Sequence, residues 1–208
     1  VELFSVARQS GLATQELRFK RGDVIYRQGD TPRALYLVES GLVGLTLIGA
    51  ESGKEHLVRF FRPGQTLGHR ALLAGEGYHG TAVVLESTII KSIPSGQVQQ
   101  LLDRRPELLR PVVRAMAREL RACEVQHVNI LEKQILSRTA EALVYLKDLH
   151  PEHLWTRQEI ANFCASTVST VIKAMAELED RGLIRQAGRA IEILDRTGLL
   201  ELPQDETF

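Results

Sequence analysis

Hydroxyl and cationic side chains gather between Thr156 and Arg189 at spacings that suit a polyanion with readable polar edges. Ser166, Thr167, Val168, Ser169, Thr170 and Lys173 fall within one short stretch. At the start of a helix laid in a DNA major groove, Ser and Thr can bond to either base type. Val can touch a thymine methyl, and Lys can reach guanine or a phosphate. Arg157 begins the segment before them and Arg185 and Arg189 flank a turn after them, positions suited to phosphate contacts that set register. A solvated surface charge is the competing reading for each arginine, since charge alone identifies no partner.

A second set lies in the first half: Gly68, His69, Arg70 and Ala71, then His79, Gly80, Thr81 and Ala82. Its imidazoles and its one guanidinium could hold an anionic group. Histidine is also a common axial ligand of haem, so His69, His79 and His127 keep haem sensing open beside the commoner role of a hydrogen-bonded surface or interface histidine. His150-Pro151-Glu152-His153 carries chelating atoms but reads as a loop. The two cysteines, Cys123 and Cys164, form no CxxC pair and are too few for an iron–sulfur cluster. No metal site is expected. The phosphate-loop, nucleophile-elbow and H-E-x-x-H motifs are absent, which argues against an enzyme.

The elements that must position these residues are legible in outline. Across residues 16–95, short runs rich in Val, Ile, Leu, Phe and Tyr are broken by Gly22, Gly29, Gly41, Gly53, Gly64 and Gly68. Strands are predicted at Asp23–Tyr26, Ala34–Glu39, Leu42–Ile48, His56–Phe61, Thr81–Leu85 and Thr88–Ile93, with Arg21-Gly22-Asp23, Gln28-Gly29-Asp30 and Arg62-Pro63-Gly64 as turns. This spacing predicts a closed sandwich or jelly roll, a β-roll, which covers most strand edges.

From about Glu107 the chain reads as a long helix. Leu109, Val113, Met116, Leu120, Cys123, His127 and Ile130 alternate at spacings of four and three, the a/d seam of a coiled coil. Packing against a second copy, giving a twofold homodimer, is one reading; packing on the chain's own β domain is the other. His127 on the seam would face its twin, so pH or a metal could tune association, although a polar residue fixing register is the simpler account. A break is predicted near Glu132-Lys133-Gln134 and a second helix over Ile135–Leu149. Thr156-Arg157-Gln158-Glu159 is a capping box that starts a helix running to about Cys164. A helix from Val168 to Asp180 closes at Arg181-Gly182. Leu183–Arg185 and Ala190–Leu194 pair around Ala187-Gly188-Arg189. Two short helices, a tight turn and a hairpin make a winged helix-turn-helix. The fold class is therefore α+β, divided as residues 1–106 (β-roll), 107–132 (dimerisation helix) and 133–208 (winged helix-turn-helix).

The residues Thr156-Arg157-Gln158-Glu159-Ile160-Ala161 with Thr170-Val171, and Leu178-Glu179-Asp180-Arg181-Gly182-Leu183-Ile184, resemble the helix-turn-helix of the cyclic-AMP receptor and fumarate–nitrate reductase regulator family. Arg62-Pro63-Gly64-Gln65-Thr66-Leu67-Gly68 with Thr81-Ala82 is similar to the end of that family's β-roll and its effector cassette. The resemblance covers nearly the whole chain. It implies a homodimeric transcription regulator that binds double-stranded DNA at a roughly palindromic operator, contacts RNA polymerase and rearranges its halves when a signal arrives. Cyclic-AMP binders of the family place Gly-Glu early in the cassette and Arg-Ser or Arg-Thr before its closing Ala; here the pairs are Gly68-His69 and Gly80-Thr81. Where those binders set Thr-Ser against the purine, this chain has Cys123-Glu124, which adds both to the pocket candidates. Cyclic AMP in its usual pose is not expected, and the effector stays unidentified. Relatives often carry an acid before the Thr-Val pair and Arg three residues beyond it; Val168-Ser169 and Lys173 predict a different operator.

With 208 residues, 44% hydrophobic and 25% charged, the chain suits two small globular domains. No apolar run is long enough to span a membrane, and Val1-Glu2-Leu3-Phe4-Ser5 lacks the features of a secretory signal. A cytoplasmic protein without a membrane partner is expected. Net charge is zero, and residues 133–208 hold 9 Lys and Arg against 12 Asp and Glu, so any case for nucleic acid must rest on local geometry. A regulatory module without DNA binding would lack the capping box, second helix and wing. A DNA-binding protein with a vestigial sensor stays open.

Overall fold

The computed structural model describes residues 2–51 and 53–202, with the backbone alone for Glu2, Leu3, Ser5, Val6 and Gln126. The outermost ends of the expected domains, Val1 and 203–208, lie outside the described residues. The chain divides into two compact units, 1–120 and 121–208. The division falls inside one long helix.

The first unit opens with α1 (Glu2–Gln9). Eight strands follow: β1 (Gln15–Phe19), β2 (Val24–Tyr26), β3 (Ala34–Ser40), β4 (Val43–Ile48), β5 (Glu55–Phe61), β6 (Thr66–Leu67), β7 (Thr81–Val84) and β8 (Thr88–Pro94). A short α2 (His69–Ala74) sits between β6 and β7; α3 (Ser95–Arg104), a 3-10 turn (Pro106–Leu108) and α4 (Leu109–Glu132) follow β8. The strands form two four-stranded antiparallel sheets, ordered β1-β8-β3-β6 and β2-β7-β4-β5. This is the expected jelly roll. The elements not anticipated from sequence are α1, β1, β6, α2 and α3.

Strand β8 shows why clean alternation is lost. Ile90 points between the sheets, where it meets Tyr26, Val38, Val43, Leu45, Phe61 and Leu67. Ile93, of opposite parity, joins Leu35 and the helical residues Val98, Leu101, Leu102, Leu108 and Val112 on the outer face. A strand buried on both faces reads as a continuous apolar run. At the link from β3 to β4, Gly41 has a φ of 87°, and a Cβ there would lie 2.5 Å from the Ser87 carbonyl oxygen and would also clash with Thr88 Oγ1.

The seam residues of α4 divide between two roles. Leu109 and Met116 are partly buried against the unit's own core, where the neighbouring Val112 is buried outright. Within this unit they follow the alternative of packing on the β domain. Val113 and Leu120 remain exposed, each at 61%. Further along the helix Cys123 and His127 are exposed and Ile130 is half-buried, while Val125, Val128 and Leu131 are exposed apolar residues that the seam pattern omitted.

The second unit continues α4 through a break at Lys133-Gln134 into α5 (Ile135–Leu149), as expected; Lys133 Nζ donates to Glu141 Oε1 at 2.5 Å. It then forms α6 (Arg157–Phe163), α7 (Val168–Asp180), β9 (Ile184–Ala187), β10 (Ala190–Ile193) and α8 (Arg196–Leu200). α7 packs on both α5 and α6, and α8 packs on α5. Leu143, Leu146, Ile160, Val171, Met175, Leu178, Ile184 and Leu199 are buried in its core. Asp195 caps α8 by accepting from Gly198 N–H at 2.9 Å, a local signal the sequence reading passed over, and Arg196 fastens the helix by a bidentate bond to Asp148 at 2.7 and 2.6 Å.

Gly41→Ala should destabilise the protein by about 2–3 kcal/mol, since strained φ and a backbone clash combine at one atom. Urea unfolding of both proteins measures it, and an unchanged midpoint would show that the β3–β4 link relaxes freely.

Candidate functional site

The helix pair begins with the capping box predicted from sequence. Glu159 N–H donates to Thr156 Oγ1 at 3.2 Å, and Thr156 N–H donates to Glu159 Oε2 at 2.8 Å. Helix α6 stops at Phe163. The turn carries Ala165 at a φ of 51°, a left-handed conformation that glycine takes more readily, and returns through Ser166 N–H donating to the Ala161 carbonyl at 3.0 Å. Thr167 caps α7, its Oγ1 accepting from Thr170 N–H at 3.2 Å.

That cap corrects one expectation. The Thr167 hydroxyl is committed to the helix start, with Ser169 Oγ at 3.0 Å and Thr170 Oγ1 at 2.7 Å drawn towards it. Ser166, Val168 and Thr170 are half-buried. The open face of α7 is instead Ser169, Ile172, Lys173 and Ala176, spaced by three and four residues on one side, while Val171, Ala174, Met175 and Leu178 face the core. Ile172, 49% exposed, was not among the sequence candidates. Its i+3 relation to Ser169 and i−4 relation to Ala176 could have marked it.

The wing is held by a polar hub. Arg157 Nη2 donates to Gln186 Oε1 at 2.7 Å, and Arg157 also reaches the carbonyls of Gly188 and Arg189 at 3.4 Å. Gln186 in turn bonds Glu179 twice, through its N–H at 2.6 Å and its Nε2 at 3.0 Å. One glutamine thus ties α6, α7 and the β9–β10 hairpin together. Arg157 is committed to this hub and is not a free phosphate ligand. Arg185 pairs with Glu192 across the hairpin. Arg189 is exposed at the tip. Gln186 carried no motif, and Glu179 was noted only within the helix-turn-helix resemblance, because the hub depends on the Arg157–Gln186 bond across 29 residues.

His153 is buried, with Nε2 at 3.3 Å from Glu159 Oε2 and its ring edge-on to Trp155 at 4.4 Å. It therefore packs the domain instead of offering a chelating atom. Burial alone would raise the Glu159 pKa, but the His153 and Thr156 hydrogen bonds outweigh it and hold the carboxyl below its ordinary value. Burial pushes the Cys164 thiol up to about 11, leaving it protonated.

The β-roll contains a pocket lined by Gly68, His69, Arg70, Ala71 and His79 from the sequence candidates, with Tyr26, Leu45, Arg59, Phe61 and Tyr78. Gly80, Thr81 and Ala82 belong to the edge and core of β7 and do not line it; Thr81 Oγ1 accepts from Gln28 N–H at 3.1 Å. Cys123 and Glu124 are exposed and do not line it either. The residue of α4 that reaches the cassette is Glu119, one helical turn before Cys123. Its Oε1 accepts from Arg59, and its Oε2 accepts from Arg70 Nε at 3.1 Å and Nη2 at 2.8 Å, with His69 Nε2 at 3.7 Å. Burial opposes ionisation of Glu119, yet these partners keep its pKa far below the usual carboxylate range. Tyr26 and Tyr78 stack at 3.6 Å behind the site, and burial raises the pKa of both. His79 is pushed below its ordinary value by burial and then by the charges of Arg70, Arg59 and His69.

Residues 16–105 match the cyclic nucleotide-binding domain, and residues 137–202 match the Crp-like helix-turn-helix domain. The chain is 30% identical to the transcriptional regulator LdrP of Thermus thermophilus over 191 residues, 88% of this chain and 93% of the relative. It is 29% identical to the transcriptional activator protein FnrA of Stutzerimonas stutzeri, covering 88% and 78% of the two chains. Among solved structures it is similar to a transcriptional regulator of the CRP/FNR family from Thermus thermophilus, with a TM-score of 0.75 and 28% identity over 89% of this chain and 96% of the other. FixK2 from Bradyrhizobium japonicum shares the fold, with a TM-score of 0.78 and 21% identity over 90% and 96%.

Because the folded carboxyl of Glu159 titrates below the unfolded one, the stability it lends is complete above about pH 4 and fades as pH falls through its lower folded value. The melting temperature of wild type should therefore exceed that of Glu159→Gln by more at pH 6 than at pH 3. A constant difference would mean that the charge of Glu159 adds nothing to the fold.

Proposed function

This chain belongs to the cyclic-AMP receptor and fumarate–nitrate reductase regulator family of transcription regulators, and from that premise we propose that it acts as a cytoplasmic homodimer binding a roughly palindromic operator. The observation that carries the reading is the open face of α7, Ser169, Ile172, Lys173 and Ala176, on a helix held by a capped partner helix and a tied wing. Two such helices, one from each copy, would enter successive major grooves. Ser169 and Lys173 supply hydrogen bonds to base edges, and Ile172 offers apolar contact to a thymine methyl. Arg189 at the wing tip supplies a phosphate contact. The bound dimer would recruit RNA polymerase.

The exposed Val113 and Leu120 support self-association through α4. The effector is a small molecule at the β-roll, with haem held by a histidine as the less favoured reading and an iron–sulfur cluster disfavoured by a count of two cysteines. A cyclic nucleotide in the usual pose does not fit these residues: His69 stands where an acid would take the ribose, and no arginine precedes Thr81. Binding of the effector would shift the population between dimer arrangements that do and do not match the operator.

Selection from a genomic fragment library with the purified, ligand-stripped protein should yield a palindrome, and failure to enrich any DNA would remove this reading. Lys173→Ala should weaken operator affinity by about tenfold or more while leaving the dimer intact, as read by titration of labelled operator and by sedimentation. Leu120→Asp should give monomers with poor DNA binding; a surviving dimer would show that the copies meet elsewhere.

A further inference from the structure

We propose that the β-roll pocket is an anion site whose resident anion is the protein's own Glu119, and that a compact phosphate-class dianion binds there by displacing this carboxylate from Arg59 and Arg70. The proposal deepens the sensor reading by naming the effector's chemistry.

The donors are arranged as for an anionic ligand. Arg70 offers Nε and Nη2 together to Oε2, at 3.1 and 2.8 Å, while Arg59 donates to Oε1. Arg59 is itself steadied over the Phe61 ring at 4.8 Å from the centroid. Guanidinium forks that seat a carboxylate seat phosphate oxygens by the same geometry. His69, nine-tenths buried, lines the same wall, and its Nδ1 has no hydrogen-bond partner among the described residues.

Charge selects the class. Two guanidiniums face one carboxylate, so a positive charge is left over. A monoanion such as Glu119 does not neutralise the site, whereas a dianionic phosphate group would. Space selects the mode. The cavity beside the two arginines has room for about one water. A phosphate that engages both guanidiniums therefore takes the place of the Glu119 carboxylate. The freed carboxylate would release the polar tie between the first half of α4 and both β5 and α2, leaving Leu109, Val112 and Met116 as the remaining apolar seat.

Inorganic phosphate, mainly the hydrogenphosphate dianion in mildly alkaline buffer, is a suitable probe, titrated by calorimetry against the full-length protein without DNA. The wild-type site is competent only while Glu119 is withdrawn, so its apparent affinity is reduced by that fraction. Glu119→Gln keeps the shape and removes the competing charge, and should bind inorganic phosphate at least about tenfold more tightly than wild type. Adding Arg59→Ala and Arg70→Ala to that variant should abolish the gain. Should Glu119→Gln fail to fold by circular dichroism, Glu119→Asp, with its shortened reach, is expected to give the same order. Equal affinity in wild type and variant, or binding that survives loss of both arginines, would overturn the proposal. Because no DNA enters the measurement, either result leaves the operator-binding reading to be judged separately.

Discussion

A single helix of 24 residues has to satisfy two surfaces, and much of the molecule follows from how α4 does so. With 3.6 residues per turn, Leu109, Val112 and Met116 fall on the side that closes the outer face of the β1-β8-β3-β6 sheet, and Glu119 continues that side to the cassette. The flank of the same apolar stripe is left with Val113 and Leu120 in solvent. A stripe wider than the sheet covers presents its open flank for association, which ties the proposed dimer to neighbours of the residues that complete the first unit's core.

At Glu119 the helix makes its most specific attachment. Apolar burial holds α4 against the sheet without fixing its rotation closely, whereas a carboxylate shared by two guanidinium groups on β5 and α2 admits little change of angle. A half-buried ion pair is weak evidence of net stability, because desolvation offsets much of the attraction. Its value here is positional. Of the contacts described between α4 and the β-roll, it is the one that another anion can contest.

The sequence announced the elements whose signals are local. The capping box at Thr156 and Glu159, the Gly182 stop and the turn at Ala187-Gly188-Arg189 each depend on residues within a few positions of one another, and each is where it was expected. The two-residue strand β6 and the six-residue α2 are too short to show a period, and α3 follows Pro94 without a change in composition to announce it. The pocket was half legible: the cassette supplied Gly68, His69, Arg70, Ala71 and His79, but Arg59 arrives from β5 and Glu119 from α4. Resemblance pointed to Cys123-Glu124 because cyclic-AMP binders use that part of the helix; within the first unit the contact is made by Glu119. Nothing in the spacing of residues 59, 70 and 119 foretells their meeting, since sheet register and helix phase together create it.

The arginines of the reading unit show what charge in a sequence leaves undecided. Arg157, Arg185 and Arg189 all looked available, yet two are bonded within the unit and, of these three, Arg189 alone stands at the wing tip without such a role among the described residues. Those two commitments are unequal. Arg185 and Glu192 are both largely exposed, so exchanging that pair for a DNA phosphate would cost under about 1 kcal/mol. Arg157 holds a glutamine and two carbonyls across three elements, and moving it would loosen the wing. An acidic excess in residues 133–208 further limits how much affinity phosphate attraction can supply. Operator binding by such a unit has to draw on geometry: helix N-termini whose backbone N–H groups meet phosphates, a rigid reading face, and two copies acting together through α4.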